Sequence, residues 1–331
     1  MTKIIAEVGI NHNGSIKRLF KLIDIAKYAG ADYLKIQTYI PEKVIIKNID
    51  FAPYQKINSK KKNLYSLLKK YQISFDNHFK IKKYCDKLKI QFISSPFDNE
   101  SAKFLCEKLK LKIIKIPSGE ITNYQLLKYL SKFRIKIILS TGLSNISEIS
   151  EAIKVLKVKK SNLTLLHCNT AYPTPINDVN MLAMLEMKKI FNCKIGYSDH
   201  TLGNHAAIVA TSLGAEIIEK HITLNINDKG PDHKSSLNKK DFVKFVKSIK
   251  DTNKILGSKE KKISKSEKIN FKFVRKSIYS SRQINKGEKF SEKNLITLRP
   301  FKGVSAMKIN QIYGKKSKKN YKKFSLIKIY K

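Results

Sequence analysis

Short apolar runs alternate with amphipathic stretches through the first 256 residues, and few folds accommodate that alternation. The runs near 3–9, 32–38, 90–94, 112–116, 136–140, 163–167, 194–197 and 216–221 read as strands. Helical periodicity separates them near 15–29, 75–88, 99–109, 123–132, 146–157, 178–191 and 203–213, with a last helix near 239–256. Eight strand–helix units over roughly 250 residues match a (β/α)8 TIM barrel, an α/β fold. An open doubly wound sheet alternates similarly, but its first turn would carry a Gly-rich dinucleotide loop, which Gly9-Ile10-Asn11-His12-Asn13-Gly14 is not. The polar stretch 41–73 reads as a large insertion after the second strand, placed to form part of the rim of a site.

The pattern changes near Gly257. We expect a barrel over residues 1–257, a charged linker over 258–274, and a small β-rich domain over 275–331. A unit that small is marginal alone and is expected to lean on something larger. Of 67 basic residues only five are arginine, at 18, 134, 275, 282 and 299, and the net charge is +41. The lysines are spread along the chain without a nucleic-acid motif or an aromatic–basic platform, so specific nucleic-acid binding is not expected. A positive field would still draw in small anions. No apolar run is long enough to span a membrane, and Met1-Thr2-Lys3-Ile4 enters the first strand without a signal-peptide pattern. Cys85, Cys106, Cys168 and Cys193 form no CxxC pair and fit a reducing cytoplasm.

In a barrel, function collects where the strands end. Glu219 and His221 share one face of the last strand, and Lys220 takes the other. The preceding strand ends in Ser198-Asp199-His200. Earlier strand ends carry Glu7, Lys35 and Gln37, Ser95, Lys115 with Ser118 and Glu120, Ser140, and then His167-Cys168-Asn169-Thr170 with Tyr172. Two lysines with Ser95, Ser118 and Ser140 suit a phosphorylated anion. Two histidines on adjacent strands, with acids nearby, suit one divalent metal.

Several blocks resemble those of the N-acetylneuraminate (sialic acid) synthases and the legionaminic acid synthases. They are Ala6-Glu7-Val8-Gly9-Ile10-Asn11-His12-Asn13-Gly14, Lys35-Ile36-Gln37-Thr38, Lys115-Ile116-Pro117-Ser118-Gly119-Glu120, Ser198-Asp199-His200-Thr201, Glu219-Lys220-His221 and Gly230-Pro231-Asp232-His233-Lys234. The tail resembles that family's SAF (antifreeze-like) domain, with Arg299-Pro300 at its signature. The resemblance implies condensation of phosphoenolpyruvate with an N-acylated mannosamine-type aldehyde to a nine-carbon 2-keto acid and phosphate. N-acetylmannosamine is the first expectation for the sugar, and 2,4-diacetamido-2,4,6-trideoxymannose the alternative. It implies manganese or magnesium on His200 and His221, and phosphoenolpyruvate on Lys35, Ser95, Lys115, Ser118 and Ser140. It implies the sugar on Gln37, Tyr172, Asp232 and Arg299, and catalytic roles for Glu7, Glu120 and Glu219, the last ordering water on the metal. Arg299 would come from the partner subunit of a domain-swapped homodimer.

Two positions depart from the family pattern. Ser95 stands where many members have Thr, keeping the hydroxyl, and Phe301-Lys302-Gly303 replaces a Gly-rich turn after Arg299-Pro300. The Gly-Pro-Asp-His-Lys block fits the sialic and legionaminic branches and departs from the pseudaminic one. Another phosphoenolpyruvate-dependent 3-deoxy-keto-acid synthase is a weaker reading, because it would not bring the SAF-like tail. A barrel serving only as a binding scaffold would not need the paired histidines.

Overall fold

The computed structural model describes residues 1–47 and 63–328. The chain divides into two compact units, Met1–Gly257 and Ser258–Lys331. In the first, eight parallel strands close into a barrel in chain order. They are β1 (Lys3–Gly9), β2 (Tyr33–Thr38), β3 (Gln91–Pro96), β4 (Ile113–Ile116), β5 (Lys136–Ser140), β6 (Leu163–Cys168), β7 (Lys194–Asp199) and β8 (Ile217–His221). β1 pairs with β8 so that Glu7 lies opposite His221. That closure excludes the open sheet. Between β1 and β2 the register slips from Glu7 to Gly9, a bulge at the strand's C-terminal end.

Alternation along each strand divides the side chains between two cores. Ile5, Ile93, Ile113, Ile138, Leu166 and Ile217 form one buried cluster from six of the eight barrel strands. The opposite faces pack against the helices in a larger cluster, to which α1 (Ile16–Ala29) contributes Leu19, Leu22, Ile23 and Ala26. Ser15 caps α1 by accepting from the Arg18 amide, and Gly30 ends it in a left-handed conformation.

The insertion after β2 is partly helical. Residues 48–62 lie outside the described residues, but their flanks form α2 (Pro41–Val44) and α3 (Leu64–Tyr71). Leu64, Leu67, Leu68 and Tyr71 follow i, i+3, i+4, i+7 spacing and so share one helix face. Together with Ile10 they make a separate apolar cluster. A Cβ on Gly14 would lie 2.4 Å from the Lys70 carbonyl oxygen, so a glycine is needed where the first turn meets α3.

The barrel is completed by α4 (Phe75–Leu88), α5 (Asn99–Lys103), α6 (Tyr124–Leu130), α7 (Ile146–Leu156), α8 (Leu182–Phe191), α9 (His205–Ser212) and α10 (Lys239–Leu256). Among the described residues no helix is long and apolar enough to cross a membrane.

In the second unit, the stretch expected as linker carries α11 (Lys265–Lys268) and α12 (Phe271–Val274). A capping box formed by Ser264 and Glu267 starts the first of these. Then β9 (Ser277–Ser280) and β10 (Leu295–Leu298) pair antiparallel. Ile278, Ile284, Phe290, Leu295, Ile312, Tyr321 and Ile327 form this unit's own buried core. An isolated antiparallel bridge joins Tyr279 to Leu326.

His78 on α4 ties that helix to the barrel. Its Nδ1–H donates to the Ser74 carbonyl at 2.8 Å and its Nε2 accepts from the Thr38 hydroxyl at 2.8 Å. Burial holds its imidazole down to about 4, against an ordinary value of 6.5. The unfolded chain therefore takes up this proton at higher pH than the folded one. The corresponding stability is fully present above pH 6.5 and is lost as the pH falls toward 4. We expect the melting temperature to drop across that window, and His78→Asn to make the drop shallower. An equally steep drop in the variant would contradict this account.

Candidate active site

Four charged side chains from four strands meet where the barrel opens, and all are almost completely dehydrated. Lys35 Nζ lies 2.9 Å from Glu7 Oε1 and 3.7 Å from Glu219 Oε2. Lys115 Nζ lies 3.2 Å from Glu219 Oε1, which also accepts from Ser198 Oγ at 3.0 Å. None of the four side chains is more than 4% exposed. Burial pushes the Glu7 carboxyl up to about 7, against the pull of Lys35. Burial acts on Glu219 too, but Lys115 and Lys35 together hold it down to about 2. The two acids are thus separated in character. Glu7, whose Oε2 has no hydrogen-bond partner, can carry a proton near neutrality, and Glu219 stays an anion.

The two histidines stand at the ends of β7 and β8, with ring centroids 5.5 Å apart. His200 Nδ1–H donates to the Asn169 carbonyl at 2.7 Å, which leaves Nε2 with its lone pair. His221 Nδ1 is buried without a hydrogen-bond partner, and Asp232 Oδ2 lies 3.9 Å from it. Burial raises the Asp232 carboxyl to about 6. The Tyr172 ring packs 4.0 Å from the His200 ring. Gly9 makes room for this group. Its φ of +52° is left-handed, and a Cβ there would lie 3.1 Å from His221 Cε1 and 3.2 Å from Asp232 Oδ2.

Glu7, Lys35, Gln37, Lys115, Ser118, Glu120, Ser140, Tyr172, His200, Glu219, His221 and Asp232 line one cavity of about 420 Å3. Ser140 Oγ is buried with no hydrogen-bond partner, while Ser118 Oγ accepts from the Gly142 amide at 3.0 Å. Glu120 accepts from Asn123 at 2.7 Å, and burial raises its carboxyl. Ser95 lies beside Lys35. It is fully buried and accepts from Lys35 Nζ at 3.3 Å, so its hydroxyl helps to hold that lysine at the cavity. Arg299 follows β10 in the second unit and is exposed. The turn after it is pinned by the Ser277 hydroxyl, which accepts from the Lys302 and Gly303 amides.

The described flanks of the insertion at 41–73 lie at the rim of the cavity as expected, but the apolar character of that side was not foreseen. Ile10, Tyr39, Val44, Ile45, Leu64, Leu67, Leu68 and Phe97 line it with apolar surface. The i, i+3, i+4 spacing of Leu64, Leu67 and Leu68 was the available signal, embedded in lysine-rich sequence. Cys168, Thr170 and Ser198, from the polar ends of β6 and β7, also line the cavity.

Residues 22–261 match the model of the NeuB family. The chain belongs to the NeuB family. Residues 275–326 match the SAF domain. An N,N'-diacetyllegionaminic acid synthase of Campylobacter jejuni is 46% identical over 331 residues, covering 99% of each chain. The protein of the same description from Legionella pneumophila is 38% identical, over 96% of this chain and 90% of its own. Among solved structures, the N-acetylneuraminic acid (sialic acid) synthetase of Leptospira borgpetersenii superposes with a TM-score of 0.71 at 32% identity. That match covers 81% of this chain and 90% of the other. This NeuB-family chain is therefore an enzyme of the N-acetylneuraminate synthase type, catalysing a phosphoenolpyruvate-dependent condensation.

The bulge at Gly9 predicts a specific failure. Gly9→Ala forces a left-handed alanine, costing about 1–2 kcal/mol, and drives its methyl between His221 and Asp232. We expect turnover to fall by on the order of 10²-fold in a protein that still melts cooperatively. Turnover equal to that of the parent protein would contradict the geometry.

Proposed function

We propose that this enzyme condenses phosphoenolpyruvate with the open-chain form of 2,4-diacetamido-2,4,6-trideoxymannose, releasing phosphate and forming N,N'-diacetyllegionaminate. The observation that carries the choice of sugar is the aliphatic wall formed by Ile10, Leu64, Leu67 and Leu68. A sugar that places hydroxyls against this wall leaves them without partners, at a cost of roughly 1–3 kcal/mol per group. A 6-deoxy methyl and a second acetyl methyl meet it without that cost. The 46% identity to an N,N'-diacetyllegionaminic acid synthase supports the same choice over N-acetylmannosamine.

Carbon 3 of phosphoenolpyruvate attacks the aldehyde carbon and forms the new C–C bond. Water then adds at carbon 2, and the C–O bond to phosphate breaks with its electron pair leaving on phosphate. Lys35 and Lys115 hold the anionic substrate, with the Ser118 and Ser140 hydroxyls beside them. Glu7, poised near neutrality, moves the proton between water and the developing alkoxide, and the Glu219 carboxylate faces the positive charge that develops at carbon 2. Glu120 is a second candidate for proton transfer.

The residues fit a divalent cation, Mn2+ or Mg2+. His221 carries a buried nitrogen without a partner, and Asn169 orients His200. Among the described residues no group of three or more His, Cys, Asp or Glu side chains that could hold a metal ion is present, so the proposed cation rests on the two histidines. Bound by His200 and His221, the cation would supply Lewis acidity toward the aldehyde oxygen.

We also propose a homodimer in which Arg299 of the second unit serves the partner's sugar pocket. Its exposure and planar donors suit an acyl carbonyl. Leu143, Ile176 and Leu202, on loops after β5, β6 and β7, leave exposed apolar surface for such a contact.

Phosphate release tests both proposals. With phosphoenolpyruvate and metal saturating, kcat/KM for the diacetamido sugar should exceed that for N-acetylmannosamine by about 10–100-fold. Equal or better use of N-acetylmannosamine would overturn the sugar assignment. Arg299→Ala should raise KM for the sugar much more than KM for phosphoenolpyruvate. An unchanged sugar KM would remove Arg299 from the site.

A further inference from the structure

Lys220 is among the largest fully buried side chains of the protein. It points away from the cavity, between β8 and the helical layer, with Nζ 5.8 Å from the Phe245 ring centroid. It donates to Asp199 Oδ2 at 2.9 Å and to the Thr201 carbonyl. The other oxygen of Asp199 accepts from the Thr201 amide at 2.9 Å and the Thr201 hydroxyl at 2.7 Å. Asp199 and Lys220 are register partners on β7 and β8, and each directly precedes one of the two histidines.

An ion pair this dry is a poor source of stability. Removing two charges from water costs several kcal/mol per ion, and a well-packed apolar pair of similar volume often serves a fold equally well. What an apolar pair lacks is direction. The Lys220 ammonium fixes one strand end against the other through two acceptors, while Asp199 fixes the turn that carries His200.

We propose that Lys220 and Asp199 are positioning residues whose pairing sets the spacing of His200 and His221, and so the affinity of the site for its divalent cation. This rests on the two-histidine metal reading. The pair touches neither the cavity nor the substrate, so its effect falls on the metal and spares the phosphoenolpyruvate contacts made by Lys35 and Lys115.

The test is titration of the metal-free, full-length protein with Mn2+ alone and, separately, with phosphoenolpyruvate alone. In the double variant Lys220→Met with Asp199→Leu, Mn2+ affinity should fall about 10–100-fold. Phosphoenolpyruvate affinity and cooperative melting should persist. Unchanged Mn2+ affinity, or parallel weakening of both ligands, overturns the proposal. If the double variant does not fold, Asp199→Glu keeps the charges but changes their span by one methylene, and the same two outcomes decide. Parent protein that binds no Mn2+, or whose binding survives His200→Ala, removes the metal reading and this inference with it. Unchanged affinity in the pair variants alone removes only the inference.

Discussion

The site depends on two lysines and two carboxylates held together almost without water. Lys35, Glu7, Glu219 and Lys115 come from β2, β1, β8 and β4, and these strands converge only because the sheet closes between β1 and β8. Each charge would be expensive to bury alone, and each is tolerated because an opposite charge lies within about 4 Å. The arrangement is not symmetric. Glu219 contacts both lysines and stays ionised, whereas Glu7 contacts Lys35 alone, and each acid keeps one oxygen without a hydrogen-bond partner. This imbalance gives the barrel mouth both a fixed anion and a group able to move a proton.

Most of the framework was legible in the sequence because strand period and helix period are strong local signals. The eight strand runs, the shared face of Glu219 and His221, and the polar strand ends all follow from alternation. The apolar wall was not legible in the same way. Leu64, Leu67, Leu68 and Tyr71 make a helical stripe only two turns long, next to a lysine-rich run, so the stretch reads as a polar loop. Its burial depends on Ile10, which is far away in the chain. Ser95 adds a contact that sequence alone does not reveal. Its residue type and position suit a phosphate donor, and its oxygen also accepts from Lys35.

The excess of lysine separates into two physical roles. Lys35, Lys115 and Lys220 are dehydrated, and each has a carboxylate partner with a set geometry. Exposed lysines such as Lys154 and Lys254 contribute instead to a diffuse positive field, which favours the approach of a small anion without specifying it. A net charge of +41 is therefore compatible with a catalyst for anionic substrates and does not require a nucleic-acid partner.

The central claim is that the buried charge cluster is the phosphoenolpyruvate cradle. Calorimetric titration of metal-free protein with phosphoenolpyruvate tests it most directly, comparing Lys115→Met with the exposed control Lys154→Met. Loss of a charged hydrogen bond of about 1.5–3 kcal/mol should weaken binding by roughly 10–100-fold in Lys115→Met and leave the Lys154→Met affinity unchanged. If Lys115→Met binds phosphoenolpyruvate as tightly as the parent protein, the cluster is not the cradle.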